Sequence, residues 1–166
     1  DDMPVPSLEE ALRPICTRLP KLNPDEGLYV QLAKDHVDHH ELEKKFPKVT
    51  RDGCVAIVLY TMEDIPHENS LYYVMNADLR NRNRTKSVPP WIKFVWLLLH
   101  ALRKLPPCHE RVVMRGCRRT PEQLNVKLNK RMTWSAFSST ATRVDVMETF
   151  LGQDGERTMF QIELAE

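Results

Sequence analysis

Two adjacent prolines, Pro106-Pro107, divide this chain between two rhythms. A proline gives no amide hydrogen, and its ring clashes with the preceding turn, so a helix reaching this pair must end there. Upstream, apolar residues recur at helical spacing. The stretch 52–63 (DGCVAIVLYTME) is apolar at 55, 58, 59 and 62, and 69–80 (NSLYYVMNADLR) sets Leu71, Val74, Met75 and Leu79 on one face. Pro89-Pro90 opens a further helix over 91–104, whose stripe from Trp91 to Leu102 is ordinary core. Ser7 before Glu9 and Glu10 marks the N-terminus of a first helix, and two more are expected over 25–34 and 36–45. Downstream, 111–116 (RVVMRG), 133–142 (TWSAFSSTAT) and 158–164 (TMFQIEL) read as strands. Short helices are expected over 121–128 and over 144–151, the latter stopped by Gly152. The expected class is α+β: a helical region followed by the start of a strand-rich one.

Charge narrows the partners. Twenty-four basic and 23 acidic side chains leave +1, so no overall field favours nucleic acid or an anionic membrane. The longest apolar run, Phe94 to Leu99, is far short of the ~20 residues of a membrane span. The opening DDMPVPS lacks the basic start and apolar core of a secretory signal, so an excised domain or mature piece is expected, with localisation open. Cys16, Cys54, Cys108 and Cys117 are scattered and form no C-x-x-C pair; reduced thiols are expected, a Cys108–Cys117 bridge being the alternative. Asn83-Arg84-Thr85 matches a glycosylation sequon, which matters only in a secreted protein.

Several clusters could carry chemistry. Arg115 ends a short apolar strand, and a guanidinium in such a place needs a fixed anionic partner, because it cannot shed its charge. A phosphate or a structural carboxylate would serve. Gly116 beside it would let a ligand approach the backbone closely. Tyr72, Asn76 and Arg80 lie at i, i+4 and i+8, a polar stripe that could hold phosphates and ribose or simply face water. Arg82, Arg84 and Lys86 read as loop charges. His36, His39 and His40 share a helical face, but Asp35, Asp38 and Glu41 around them mark a solvated surface, and no metal is expected. Neither Ser138 nor Ser139 sits in a G-x-S-x-G elbow, which argues against a serine hydrolase. Strand spacing over 133–142 would put Trp134, Ala136, Ser138 and Thr140 on one face, with Phe137 and Ser139 on the other. Such hydroxyls beside aromatics close a core edge or line a polar pocket.

In order and spacing, DGCVAIVLYTME, LYYVMNADLR, WLLLHALRKLPP, RVVMRG, TWSAFSSTAT and TMFQIELAE together resemble the arginine-type mono-ADP-ribosyltransferases. This is the R-S-E class, related to cholera-toxin-like and clostridial binary-toxin-like enzymes. The resemblance runs from about residue 49 to the end, making 1–48 an N-terminal helical segment and 49–166 a split β-sandwich core. It implies a transferase that moves ADP-ribose from NAD to a protein side chain, arginine first among acceptors, with release of nicotinamide. It also implies that Arg115 grips NAD near the nicotinamide-side phosphate, and that the Gly116 backbone meets the nicotinamide amide. Ser139-Thr140-Ala141 falls on the family S-T-S element, with Ser139 ordering the site and Ala141 departing from the pattern. Tyr72, Asn76 and Arg80 fall on Y-x-x-I-N-x-x-L-R, with Met75 replacing isoleucine. Trp134, Phe137 and Ser138 would complete the pocket wall.

The serious departure from the family pattern is at the end of the chain. The family's E-x-E or Q-x-E element is expected beyond 158–164, and Glu163 and Glu166 lie too early to supply it. NAD cleavage builds oxocarbenium-like charge on the ribose, which a carboxylate stabilises. Without it, a chain with Arg115 and Ser139 would hold part of NAD and transfer poorly. A truncated enzyme, or an inactive NAD-binding or protein-interaction module of the same fold, is therefore the expectation.

Overall fold

The computed structural model describes residues 4–152 and 154–165. The chain divides into two compact units, Asp1–Pro106 and Pro107–Glu166, meeting at the proline pair.

The first unit is helical. Helix α1 (Leu8–Cys16) starts on a reciprocal cap: Ser7 Oγ accepts from Glu10 N at 3.2 Å, and Ser7 N donates to Glu10 Oε2 at 2.9 Å. It buries Leu8, Ala11, Leu12 and Ile15. Where the pattern predicts helices over 25–34 and 36–45, the chain has one longer helix, α2 (Leu28–His39), and one turn, α3 (Leu42–Lys45). Nothing near Lys34 breaks a helix, and Ala33 and Val37 are both buried, so the apolar stripe runs through. The real break is Glu41, in the left-handed region with φ 50°.

Helix α4 (Arg51–Thr61) is capped by Thr50, whose hydroxyl accepts from Gly53 N. It packs on α2 and on α7 (Ile92–Leu102). A Cβ on Gly53 would lie 2.9 Å from Ala101 Cβ, so this glycine sets how closely α4 and α7 approach. Phe94, Leu97, Leu98 and Ala101 of α7 meet Val55, Ala56 and Leu59 in the unit's core. Helix α5 (Leu71–Arg80) and the turn α6 (Arg84–Ser87) flank it. Two buried carboxylates tie loops to this frame. Asp78 accepts from Trp91 Nε1 at 2.7 Å and Arg18 Nη1 at 2.5 Å, and Asp64 accepts from Lys21 Nζ at 2.5 Å. Among the described residues, no helix is long and apolar enough to cross a membrane.

The second unit pairs two antiparallel strands, β1 (Val112–Cys117) and β2 (Thr158–Glu163), in a register from Val112 opposite Glu163 to Cys117 opposite Thr158. Thr158, Phe160 and Ile162 form the more covered face of β2, as the alternation predicts. Helix α8 (Val144–Leu151) packs on β1. Two expectations are corrected here. Residues 121–125 form turns in place of a helix over 121–128, with Asn125 at φ 54°. Residues 133–142 are not a strand: only Ala141 pairs, with Met114, through bonds of 2.7 and 2.8 Å. The whole is thus mixed helix and sheet, with a two-stranded sheet among the described residues. All four cysteines are free thiols, so Cys108 and Cys117 are not bridged. Glu163 ends β2 opposite Val112, and Glu166 lies outside the described residues.

Candidate functional site

Backbone direction builds the site. Leu164 N donates to Arg111 O at 2.8 Å, which fixes Arg111 as a hydrogen-bonded pair with β2. Such pairs alternate along an antiparallel ladder, so Val113, Arg115 and Cys117 turn their amides and carbonyls toward β2. Val112, Met114 and Gly116 therefore turn theirs to the opposite edge. There Met114 exchanges both its bonds with Ala141.

If that second ladder continued, Gly116 would come opposite Ser139, and its N–H would donate to the Ser139 carbonyl. It does not. Arg115 Nη1 takes the Ser139 carbonyl at 2.8 Å. The side chain stands in for the ladder and stops it after one rung. The buried Gly116 is left with an N–H and a C=O that have no partner among the described residues. A buried peptide without a partner costs free energy comparable to a lost hydrogen bond. Such a paired donor and acceptor complement a primary carboxamide, which offers both functions in one plane.

Arg115 is held by neutral groups where the sequence led us to expect an anion. Besides the Ser139 carbonyl, its guanidinium lies over the Trp134 ring, 5.5 Å from the centroid. Trp134 meets Phe160 of β2 edge to face at 5.5 Å. Among the described residues no carboxylate pairs with Arg115, and its Nε is buried without a hydrogen-bond partner. The Nε–H of Arg115 is thus a buried donor without an acceptor in the fold. Ala141, which the resemblance put at the third position of the S-T-S element, belongs to this arrangement through its backbone. Phe160 belongs to it without having been singled out from the sequence, although the alternation of TMFQIEL was its signal.

The other candidates in this unit sit around it differently. Ser139 and Thr140 are exposed, and it is the Ser139 carbonyl that reaches Arg115. Ser138 Oγ turns back to its own neighbour, Ala136 O, at 3.4 Å, and Phe137 is half-buried. Gly116 also has a packing role: a Cβ there would come within 2.6 Å of Leu151 Cγ and Cδ2. Strand backbone meets helix α8 with no room for a side chain.

Tyr72, Asn76 and Arg80 belong to the first unit, on α5. Tyr72 donates to Glu63 Oε1 at 3.0 Å, and burial together with that carboxylate pushes its phenol pKa up. Asn76 is buried and donates to Tyr60 OH at 3.1 Å, while Arg80 is exposed. The stripe is therefore anchored at its first two positions and open at its third. The rings of His36 and His40 lie 4.3 Å apart, tilted by 48°, and burial first, then the neighbouring histidines, lower the His40 pKa. Among the described residues no group of three or more His, Cys, Asp or Glu could hold a metal ion. Compared with protein-family models, curated proteins and solved structures, the chain matches none.

Proposed function

We propose that this chain is the NAD-holding part of a protein mono-ADP-ribosyltransferase of the R-S-E class, on a split β-sandwich core, with arginine as acceptor. The observation that carries this reading is the open peptide of Gly116 beside the unpaired Nε of Arg115. On this reading the Gly116 N–H and C=O bind the nicotinamide carboxamide, and Arg115 faces the adjoining phosphate. Trp134 and Phe160 brace the arginine, so that its position does not depend on the ligand. The nicotinamide is already a cationic leaving group, so positioning and charge do most of the chemistry. Ser138, Thr140 and the α5 side chains Tyr72, Asn76 and Arg80 enter the reading through the sequence resemblance.

A second reading, an inactive NAD-binding or protein-interaction module, is favoured by a specific observation. Among the described residues no carboxylate contacts Arg115 or Ser139, so the ribose charge would lack its stabiliser. The deciding test is transfer of a labelled ADP-ribose from an NAD analogue to candidate proteins, using the longest available form of the chain. Transfer is expected; Arg115→Lys should reduce it by at least about tenfold, and so should Ser139→Ala if the Ser139 hydroxyl, and not only its carbonyl, orders the site as the resemblance implies. Absence of transfer with retained NAD binding favours the module; transfer that survives both substitutions overturns the site.

A further inference from the structure

The stretch from Arg80, the last residue of α5, to α7 carries a feature that the transferase reading uses only at Arg80. Arg80, Arg82, Arg84 and Lys86 stand at alternate positions, all exposed, and none forms an ion pair among the described residues. Two hydroxyls follow these arginines at the same spacing. Thr85 has Arg80 and Arg82 five and three residues upstream, and Ser87 has Arg82 and Arg84 at the same two distances. Protein kinases whose substrate grooves are lined by carboxylates recognise a hydroxyl through cations at those offsets, each held by charge-assisted hydrogen bonds.

The fold separates the two hydroxyls. Ser87 is half-buried, and its Oγ donates to Asp78 O at 2.9 Å. That carbonyl belongs to the aspartate that ties Arg18 and Trp91 together. Freeing Ser87 would mean pulling this corner of the helical unit apart. Thr85 is exposed, and its Oγ1 donates only to the neighbouring Asn83 side chain, at 2.9 Å. The chain leaves α5 in extended backbone, with Asn81 at ψ 139°, while Thr85 lies in the single turn α6, which has to unwind for Thr85 to enter a kinase groove.

We infer that Thr85 is a phosphorylation site for a kinase that reads upstream arginines, with a nucleoside triphosphate as donor. In that step the bond from the γ-phosphorus to its bridging oxygen breaks and a bond to Thr85 Oγ1 forms. The hydroxyl proton passes to the kinase's base, and a nucleoside diphosphate leaves. The product places a charge of about −2 between Arg84 and Lys86, turning a free cationic strip into a locally neutralised one. The inference shares only Arg80 with the NAD reading, and its tests at Thr85 and Arg82 touch no residue of that reading.

The test is phosphate incorporation by an arginine-directed kinase into the intact chain, with the site assigned by fragment mass spectrometry. Incorporation is expected at Thr85, lost in Thr85→Ala and retained in Ser87→Ala, with unchanged circular dichroism showing that both variants fold. Replacing Arg82 by alanine should lower the kinase's kcat/KM for the chain roughly tenfold, the worth of one charge-assisted hydrogen bond. No incorporation, incorporation at Ser87, or a rate indifferent to Arg82 would each overturn the inference.

Discussion

Arg115 was legible as a residue that must be fixed, but not by what. A guanidinium at the end of an apolar strand suggested an anion, because charge is the strongest partner a sequence can offer. The structure supplies a peptide carbonyl and an indole face, neither of which any side-chain pattern announces. At Gly116 the sequence suggests close approach of a ligand to the backbone; what the fold brings close is Leu151, which fills the space a Cβ would need. Gly116→Ala should therefore destabilise the second unit by about 1–3 kcal/mol, the usual cost of overpacking. Chemical denaturation monitored by tryptophan fluorescence would measure it. Adding Leu151→Ala should recover part of the loss, as contacting positions couple. An additive double variant would mean that the strand and α8 do not meet as described.

At the scale of elements, helices with chemical punctuation were readable. Ser7 with Glu10, Thr50 before α4 and the prolines before α7 put starts where the chain has them. The failures share a cause. Over 133–142, alternation looked like a strand, yet a strand exists only where another edge accepts it. Here Arg115 takes the carbonyl that the next rung needs, and Ser138 bonds locally as short hydroxyl side chains do. The loops of the helical unit depend on charge in a way that can be titrated. The Lys21 ammonium, and then Tyr29, hold the Asp64 carboxyl below the usual aspartate range. A carboxyl that titrates lower in the folded chain contributes stability above its unfolded pKa, near 3.9, and loses it as pH falls through the folded value. Thermal melts from about pH 6 to about pH 2.5 should show that acid-side loss, and Asp64→Asn should lose less between those limits. Equal acid sensitivity in the two chains would show that Asp64 is not a stabilising ion-pair partner.

Across the whole molecule, the change of rhythm at Pro106-Pro107 was legible, and the chain divides into its two units there, whereas the resemblance had drawn its own boundary at 48/49. The candidate site was legible only as a set of residue types. Its geometry comes from one side chain replacing one rung of a ladder, which no periodicity encodes. On the proposed function, the replaced rung leaves the Gly116 peptide open for a carboxamide. With five glycines in the chain, selective ¹⁵N-glycine labelling reduces the spectrum to Gly27, Gly53, Gly116, Gly152 and Gly155. Titration with nicotinamide should move the Gly116 amide resonance saturably. Nicotinate, whose carboxylate cannot donate to the Gly116 carbonyl, should leave it nearly in place. A Gly116 resonance indifferent to nicotinamide, or moved equally by nicotinate, would contradict the claim.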